Sequence, residues 1–334
     1  FFWVFTMRAI DQKLFIKDIG TYIDPFFPVE RAIITHGHAD HARSGHKHVL
    51  CTRETADIMK IRYGANCAGS FQIVDYHEEV KIGSYKVTLY PAGHILGSAQ
   101  VLVETKNERI LVTGDYKTVV DNHLRPFELV NCDLLITEAT FGLPVFKFRD
   151  PKEEINKLLQ KIKTNTGSVY LLGAYSLGKA QRVINLIRQA GYDEEIFIHG
   201  AMEKLCDYYV SEKINLGRLK KVSLGDSKDF NGRLVVAPPS ALKDRWSRRF
   251  KNIIRCYVSG WMLIKQRVKH SGVELPIVIS DHADWNELTK TIIDTGASEV
   301  WLTHGREDAL EYWCHKNGIC AAPLSIQHRD ELED

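Results

Sequence analysis

Apolar residues recur through the first third of the chain in short alternating or β-branched runs: Leu14 to Ile16, Arg31 to Thr35, Val87 to Tyr90, Gln100 to Val103 and Ile110 to Thr113. Turn residues separate them, which predicts a strand-rich first half. After Pro144 the texture changes. Pro151 to Lys163 predicts a helix, Ser168 to Leu172 a strand, and the stretch to Ala190 a second helix; Ile196 to Ile198, Arg233 to Val236 and Ile254 to Val258 read as further buried strands. Strands alternating with helices predict a parallel α/β unit. From Pro276 the order is strand, helix, strand: Ile277 to Ile279, Trp285 to Thr295, then Val300 to Thr303. That tail carries two chemically suggestive histidines, His282 and His304, and so groups with the first half.

With 334 residues, 44% of them hydrophobic, the chain is long enough for two domains with a sizeable core. A net charge of +2 announces no polyanionic partner, so nucleic-acid contacts must come from local basic clusters. Seven cysteines without a CxxC pair argue against a disulfide framework and for a reducing cytoplasm. The opening apolar run, Phe1 to Phe5, is too short for a signal core or a membrane span, and no other stretch approaches spanning length.

The strongest chemical signal is Thr35-His36-Gly37-His38-Ala39-Asp40-His41, directly after an apolar strand. In a loop there, His36 and His38 could point into one metal while Asp40 and His41 reach a second; imidazole nitrogens with a carboxylate oxygen suit zinc. Further on, His94 sits between glycines in Gly93-His94-Ile95-Leu96-Gly97-Ser98, and Thr113-Gly114-Asp115 ends a strand with a carboxylate. Each alone is ordinary turn chemistry. Their weight comes from completing a ligand set that the first motif leaves unfinished.

In this order the HxHxDH, Gly-His and Gly-Asp elements resemble the metallo-β-lactamase superfamily, which implies an α/β protein built on an αββα sandwich. By that resemblance His36, His38 and His94 hold one metal, Asp40 and His41 the other, and Asp115 bridges them. Two divalent ions about 3.5–4 Å apart can generate a hydroxide and stabilise the charge of an in-line displacement. Zinc fits the histidine-rich set, and manganese can occupy similar ligands.

Three further elements resemble the additional motifs of the β-CASP branch, which processes nucleic acids: Glu138 in Ile136 to Gly142, His282 in Ile279 to Asp284, and His304 in Leu302 to Gly305. The resemblance implies that His304 completes the second ion's ligands, that His282 protonates the leaving oxygen and that Glu138 orients it, so Asp40, Glu138 and His282 are the catalytic candidates. A high-pKa alkoxide leaving group benefits from such an acid. Residues 1–142 and 279–334 would then form the metallo-β-lactamase domain, and 143–278 an inserted parallel β-CASP domain. If that sheet is parallel, the turns after its strands gather along one edge, where ligands usually bind. Ser176, Lys179, Ser240 and Trp261 are the substrate-binding candidates there, the serines near helix N-termini suited to phosphate and Trp261 able to stack on a base. Purely local loop and cap roles stay open for them. Arg245, Arg248, Arg249, Lys251 and Arg255 form a basic run that either tracks phosphates or is a solvated face.

Over nearly its full length the chain resembles the bacterial DNA ligase-associated exonucleases. The residues that carry this are Tyr22 to Pro25, Pro91 to Gln100, Thr140 to Pro144, Tyr175 to Arg182, Val236 to Ser240 and Ser280 to Trp285. The group implies a two-metal DNA exonuclease in DNA repair, acting on single-stranded DNA or a free end, with a ligase and a helicase as functional neighbours. A histidine at 304, however, resembles the RNA-processing members, which keeps an RNA nuclease of the same branch open. A small-molecule metallo-hydrolase would leave Glu138, His282 and His304 unexplained, and a catalytically dead scaffold would be free to lose ligands, of which none is missing.

Overall fold

The computed structural model describes residues 8–223 and 230–324. The apolar opening run, Phe1 to Phe5, lies outside them. Packing divides the described residues into two compact units, 8–145 with 282–324, and 146–281.

The first unit contains two sheets, its strands numbered along the chain. One has the order β1 (Phe15–Ile16), β2 (Thr21–Ile23), β3 (Arg31–Ile33), β4 (His46–Cys51), β5 (Ala68–Ile73), with β2 to β5 parallel. The other runs β18 (Cys320–Pro323), β17 (Glu299–Gly305), β10 (Leu134–Ala139), β9 (Arg109–Val112), β8 (Ala99–Glu104), β7 (Tyr85–Pro91), β6 (Glu79–Ile82). Ile16, Ile23, Ile33 and Leu50 of the first sheet meet Val87, Leu89, Val101, Val103, Ile110 and Ile136 of the second in one core. The alternate residues Leu102, Leu111 and Leu135 face the other way and are covered by α6 (Trp285–Asp294) through Leu288 and Ile292 and by α7 (Glu307–Lys316) through Leu310 and Cys314. Helix α1 (Arg53–Tyr63) covers the outer face of the first sheet with Ala56 and Met59. The result is an αββα sandwich. Burial on both faces explains why Ile110-Leu111-Val112 and Leu134-Leu135-Ile136 are continuous apolar runs rather than alternating ones.

The second unit is a six-stranded, wholly parallel sheet of order β13 (Leu219–Lys221), β12 (Ile196–Ile198), β14 (Leu234–Ala237), β11 (Val169–Gly173), β15 (Ile253–Val258), β16 (Leu275–Ile277). Helices α2 (Pro151–Thr164), α3 (Lys179–Gln189), α4 (Glu203–Ser211) and α5 (Lys265–Ser271) accompany it. α2 starts where the sequence says it should: Asp150 accepts a hydrogen bond from the Lys152 amide, Pro151 takes the first helical position, and Ile155, Leu158, Leu159 and Ile162 form one buried face. The last strand lies two residues earlier than predicted. Leu275 to Ile277 pair with Cys256 to Val258, and the Val278 amide leaves the ladder to donate to Glu154.

Candidate metal centre

In the second sheet of the sandwich β7, β9, β10 and β17 run the same way, because β8 is antiparallel to both β7 and β9 and the rest pair in parallel. Their C-terminal ends therefore share an edge. His94 follows β7, Asp115 follows β9, Glu138 ends β10 and His304 ends β17, while β3 delivers His36, His38, Asp40 and His41.

Among the groups of ligating atoms that lie within 4.8 Å of one another in the described residues are His36, His38, His94 with Asp115, and Asp40, His41 with His304; Asp115 recurs in another with Glu138 and His282. His38 Nδ1 lies 3.1 Å from both His36 Nε2 and His94 Nε2. Asp115 Oδ2 lies 3.4 Å from His36 Nε2, 3.8 Å from His94 Nε2 and 3.4 Å from His41 Nε2, and His41 Nε2 is 3.6 Å from Asp40 Oδ2. A tetrahedral ion with ligands at about 2.0–2.1 Å has ligand–ligand edges of about 3.3–3.4 Å, so these spacings suit a small divalent cation in each group. Asp115 touches both. Its Oδ1 and His41 Nε2 are buried without a hydrogen bond, as expected of atoms whose partner is a metal.

The outer contacts fix which nitrogen faces inward. Thr35 Oγ1 lies 3.0 Å from His36 Nδ1, Asp24 Oδ2 lies 2.7 Å from His41 Nδ1, and Thr303 Oγ1 lies 3.3 Å from His304 Nδ1. Asp24 also accepts from the Thr35 amide and hydroxyl, at 2.8 and 2.6 Å. Such partners set tautomer and ring direction. The ligand motifs do not point to Asp24; its signal in the sequence is an Asp-Pro directly after a short strand.

Electrostatics distinguish the two groups. Burial, with repulsion from His41 next, holds His36 well below the ordinary histidine range. Burial works against a charge on His41 too, but Asp115, Asp40 and Asp24 overcome it and raise that imidazole well above its usual value. Three carboxylates around one position favour a cation there. Asp115 is buried yet held well below the usual carboxylate range by His41 and His282.

His304 reaches the centre by a bulge. Glu138 pairs with Thr303 and Ala139 with Gly305, so the register steps over His304, whose φ is 58°. Bulges re-aim side chains in this way. Gly305 follows at φ 113°, where a Cβ would stand 2.3 Å from the Ala139 carbonyl oxygen. Only glycine fits.

Beside the ligands, His282 Nδ1 lies 2.9 Å from Glu138 Oε2 and 4.0 Å from Asp115 Oδ2. Glu138 is fully buried, and its Oε1 accepts from the Tyr116 amide at 2.7 Å. Burial, reinforced by Asp115, pushes the Glu138 carboxyl up despite His282 opposing it.

The four substrate-binding candidates lie at loops of the second unit. Ser176 is half-buried two residues before Gly178, the cap of α3. Lys179 is buried and its ammonium pairs with Asp281, so a phosphate there competes with a carboxylate. Ser240 is exposed inside a four-residue 3-10 helix, Pro239–Leu242, rather than before an α-helix. Trp261 is half-buried, with the Arg267 guanidinium 4.0 Å from its ring centroid and Phe146 edge-on at 5.1 Å. Within the basic run Arg245, Arg248, Arg249 and Lys251 are exposed, whereas Arg255 donates to the Leu242 carbonyl.

No family model matches the chain. It is 27% identical over 313 residues, 90% of its length, to a protein of Opitutus terrae named "Probable DNA ligase". It is 26% identical over 300 residues, 72% of its length, to the endoribonuclease YSH1 of Eremothecium gossypii, and 35% identical over 158 residues, 46% of its length, to that of Gibberella zeae. These relatives fit the resemblance of the chain to the β-CASP branch of the metallo-β-lactamase superfamily. The chain spans 30% of the Opitutus relative, 38% of the Eremothecium one and 18% of the Gibberella one. The fold also matches a solved structure of a protein of unknown function from Enterococcus faecalis V583, at a TM-score of 0.53 and 14% identity over 87% of this chain and 78% of that one. No helix among the described residues is long and apolar enough to cross a membrane.

Proposed function

We propose that the chain is a two-metal phosphodiesterase acting on nucleic acid, and specifically a DNA exonuclease. The observation that carries the reading is the Glu138–His282 pair, 2.9 Å apart, beside two ligand groups that meet at Asp115. In this reading His36, His38 and His94 hold one divalent ion, Asp40, His41 and His304 the other, and Asp115 serves both. The ions would supply Lewis acidity toward water and the phosphate oxygens. Glu138 accepts the Nδ1 proton of His282, which leaves Nε2 to carry the transferable proton, and the buried carboxylate strengthens the imidazole as a base. As water oxygen bonds to phosphorus and the P–O bond to the leaving nucleotide breaks, His282 delivers its proton to the departing oxygen. Ser176, Ser240 and Trp261 are proposed contacts to the strand, and Lys179 acts through Asp281.

DNA is favoured by the relative named a DNA ligase, which this chain matches along 90% of its own length. Trimming an end before a ligase seals it is the corresponding task, in the reducing cytoplasm expected from the cysteines. An RNA endonuclease is the second reading, favoured by the YSH1 relatives. End-labelled single-stranded DNA and the matching RNA, each with a 5′-phosphate or 5′-hydroxyl, separate the two when treated with wild type and His282→Ala in zinc or manganese. Stepwise loss of DNA is expected, with His282→Ala slower by about 10²–10⁴-fold at unchanged metal content. Internal cuts in RNA alone would overturn the DNA reading, and no cleavage by metal-loaded protein would overturn both.

A further inference from the structure

The loop that carries Asp115 and the loop that carries His282 are joined by a carboxylate outside both ligand groups. Glu287, in the first turn of α6, is 9% exposed. Its Oε1 accepts from the Thr118 amide at 2.9 Å, the Thr118 hydroxyl at 2.9 Å and the Val119 amide at 3.0 Å. Its Oε2 accepts from the Asp284 amide at 3.0 Å and from Lys117 Nζ at 3.0 Å. A carboxylate offers about four lone-pair sites, so the acceptor capacity of Glu287 is fully used. Capping α6 needs only the Asp284 contact; the other four donors all come from residues 117–119.

Lys117 completes the link. It is buried, its ammonium lies 3.4 Å from the His282 carbonyl oxygen, and its own amide is tied to the Ala92 carbonyl at 3.0 Å, two residues before His94. The Ala283 amide donates to the Tyr116 carbonyl at 2.7 Å, and the amide of the same Tyr116 donates to Glu138. The His282 backbone is thereby fixed against the loop that bears Asp115, while Glu138 fixes its ring.

We propose that Glu287 and Lys117 are positioning residues for His282: they set the imidazole at the distance from the reacting phosphate that proton delivery requires. This rests on the reading of His282 as the acid. It predicts a defect that depends on the leaving group. A nucleotide alkoxide needs the proton, whereas p-nitrophenolate leaves with little protonation.

The experiment compares wild type, Glu287→Gln, Lys117→Met, the double variant and His282→Ala, all metal-loaded with metal content measured. The substrates are single-stranded DNA and the p-nitrophenyl ester of thymidine 5′-monophosphate. We expect Glu287→Gln to lower kcat on DNA about 10- to 100-fold with little change in KM, to lower turnover of the ester by less than about 3-fold, and to keep its metal. The double variant should be no worse than the worse single one, the mark of residues acting as a unit. Equal losses on both substrates, or loss of metal, would overturn the proposal while a leaving-group-dependent His282→Ala still stood. Equal losses in His282→Ala itself would overturn the acid reading instead. Should Glu287→Gln fail to fold, Thr118→Val removes a single donor and must show the same ratio at smaller amplitude.

Discussion

The candidate metal centre and the loops at the C-terminal ends of the second unit's strands both carry conspicuous residues in the sequence, yet they differ physically. At the centre, side chains that follow β3, β7 and β9 converge until ligating atoms stand 3.1–3.8 Å apart, His304 of β17 comes within 4.8 Å of Asp40 and His41, and several rings are held from behind by Asp24, Thr35 or Thr303. At the loops Ser176, Lys179, Ser240 and Trp261 have different neighbours and exposures, and Lys179 already answers to Asp281. A metal site requires short fixed distances, so its residues depend on one another. A strand-binding surface works by summing weak contacts, and each of its residues can be lost separately.

That contrast can be broken experimentally. The largest expected effect is Asp115→Asn, which removes the one carboxylate touching both groups: bound metal, read by elemental analysis, should fall from about two ions per chain to one or fewer, with DNA turnover lost. Retention of both ions would show that the groups do not depend on Asp115. Next comes Asp24→Asn, which keeps the shape but weakens the hold on His41 Nδ1; metal affinity in a competition titration should drop about 10- to 100-fold. In the second unit Trp261→Ala should raise KM for a single strand by an amount equivalent to about 1–3 kcal/mol while leaving kcat and metal content alone. The smallest effect belongs to Ser240→Ala, within about 3-fold in KM, since an exposed hydroxyl in a short 3-10 turn has little to lose. A kcat collapse in either loop variant would mean that the loops are as interdependent as the centre.

Legibility in the sequence followed the same division. The candidate ligands stand out because HxHxDH, Gly-His and Gly-Asp put uncommon side chains at fixed spacings after apolar strands, and the parallel sheet is legible because Val169 to Gly173 and Leu234 to Ala237 are buried on both faces. The chain between His41 and Val87 yielded no element, although it contains β4, α1, β5 and β6. The physical reason is weak contrast: β5, Ala68 to Ile73, is largely exposed, and α1 buries only Thr55, Ala56, Ile58 and Met59 among charged neighbours. Glu287 is not legible in the sequence because its contacts to Lys117, Thr118 and Val119 span 168 to 170 residues, which no local spacing encodes.

The register that steps over His304 separates two pieces of information in the gene. Thr303 and Gly305 face Glu138 and Ala139 with one codon between them that the ladder does not use. A three-nucleotide deletion of that codon would align the two strands without interruption and remove a proposed metal ligand in the same event. At this position a small insertion or deletion, rather than a substitution, is the mutational step that changes the metal chemistry while conserving the sheet.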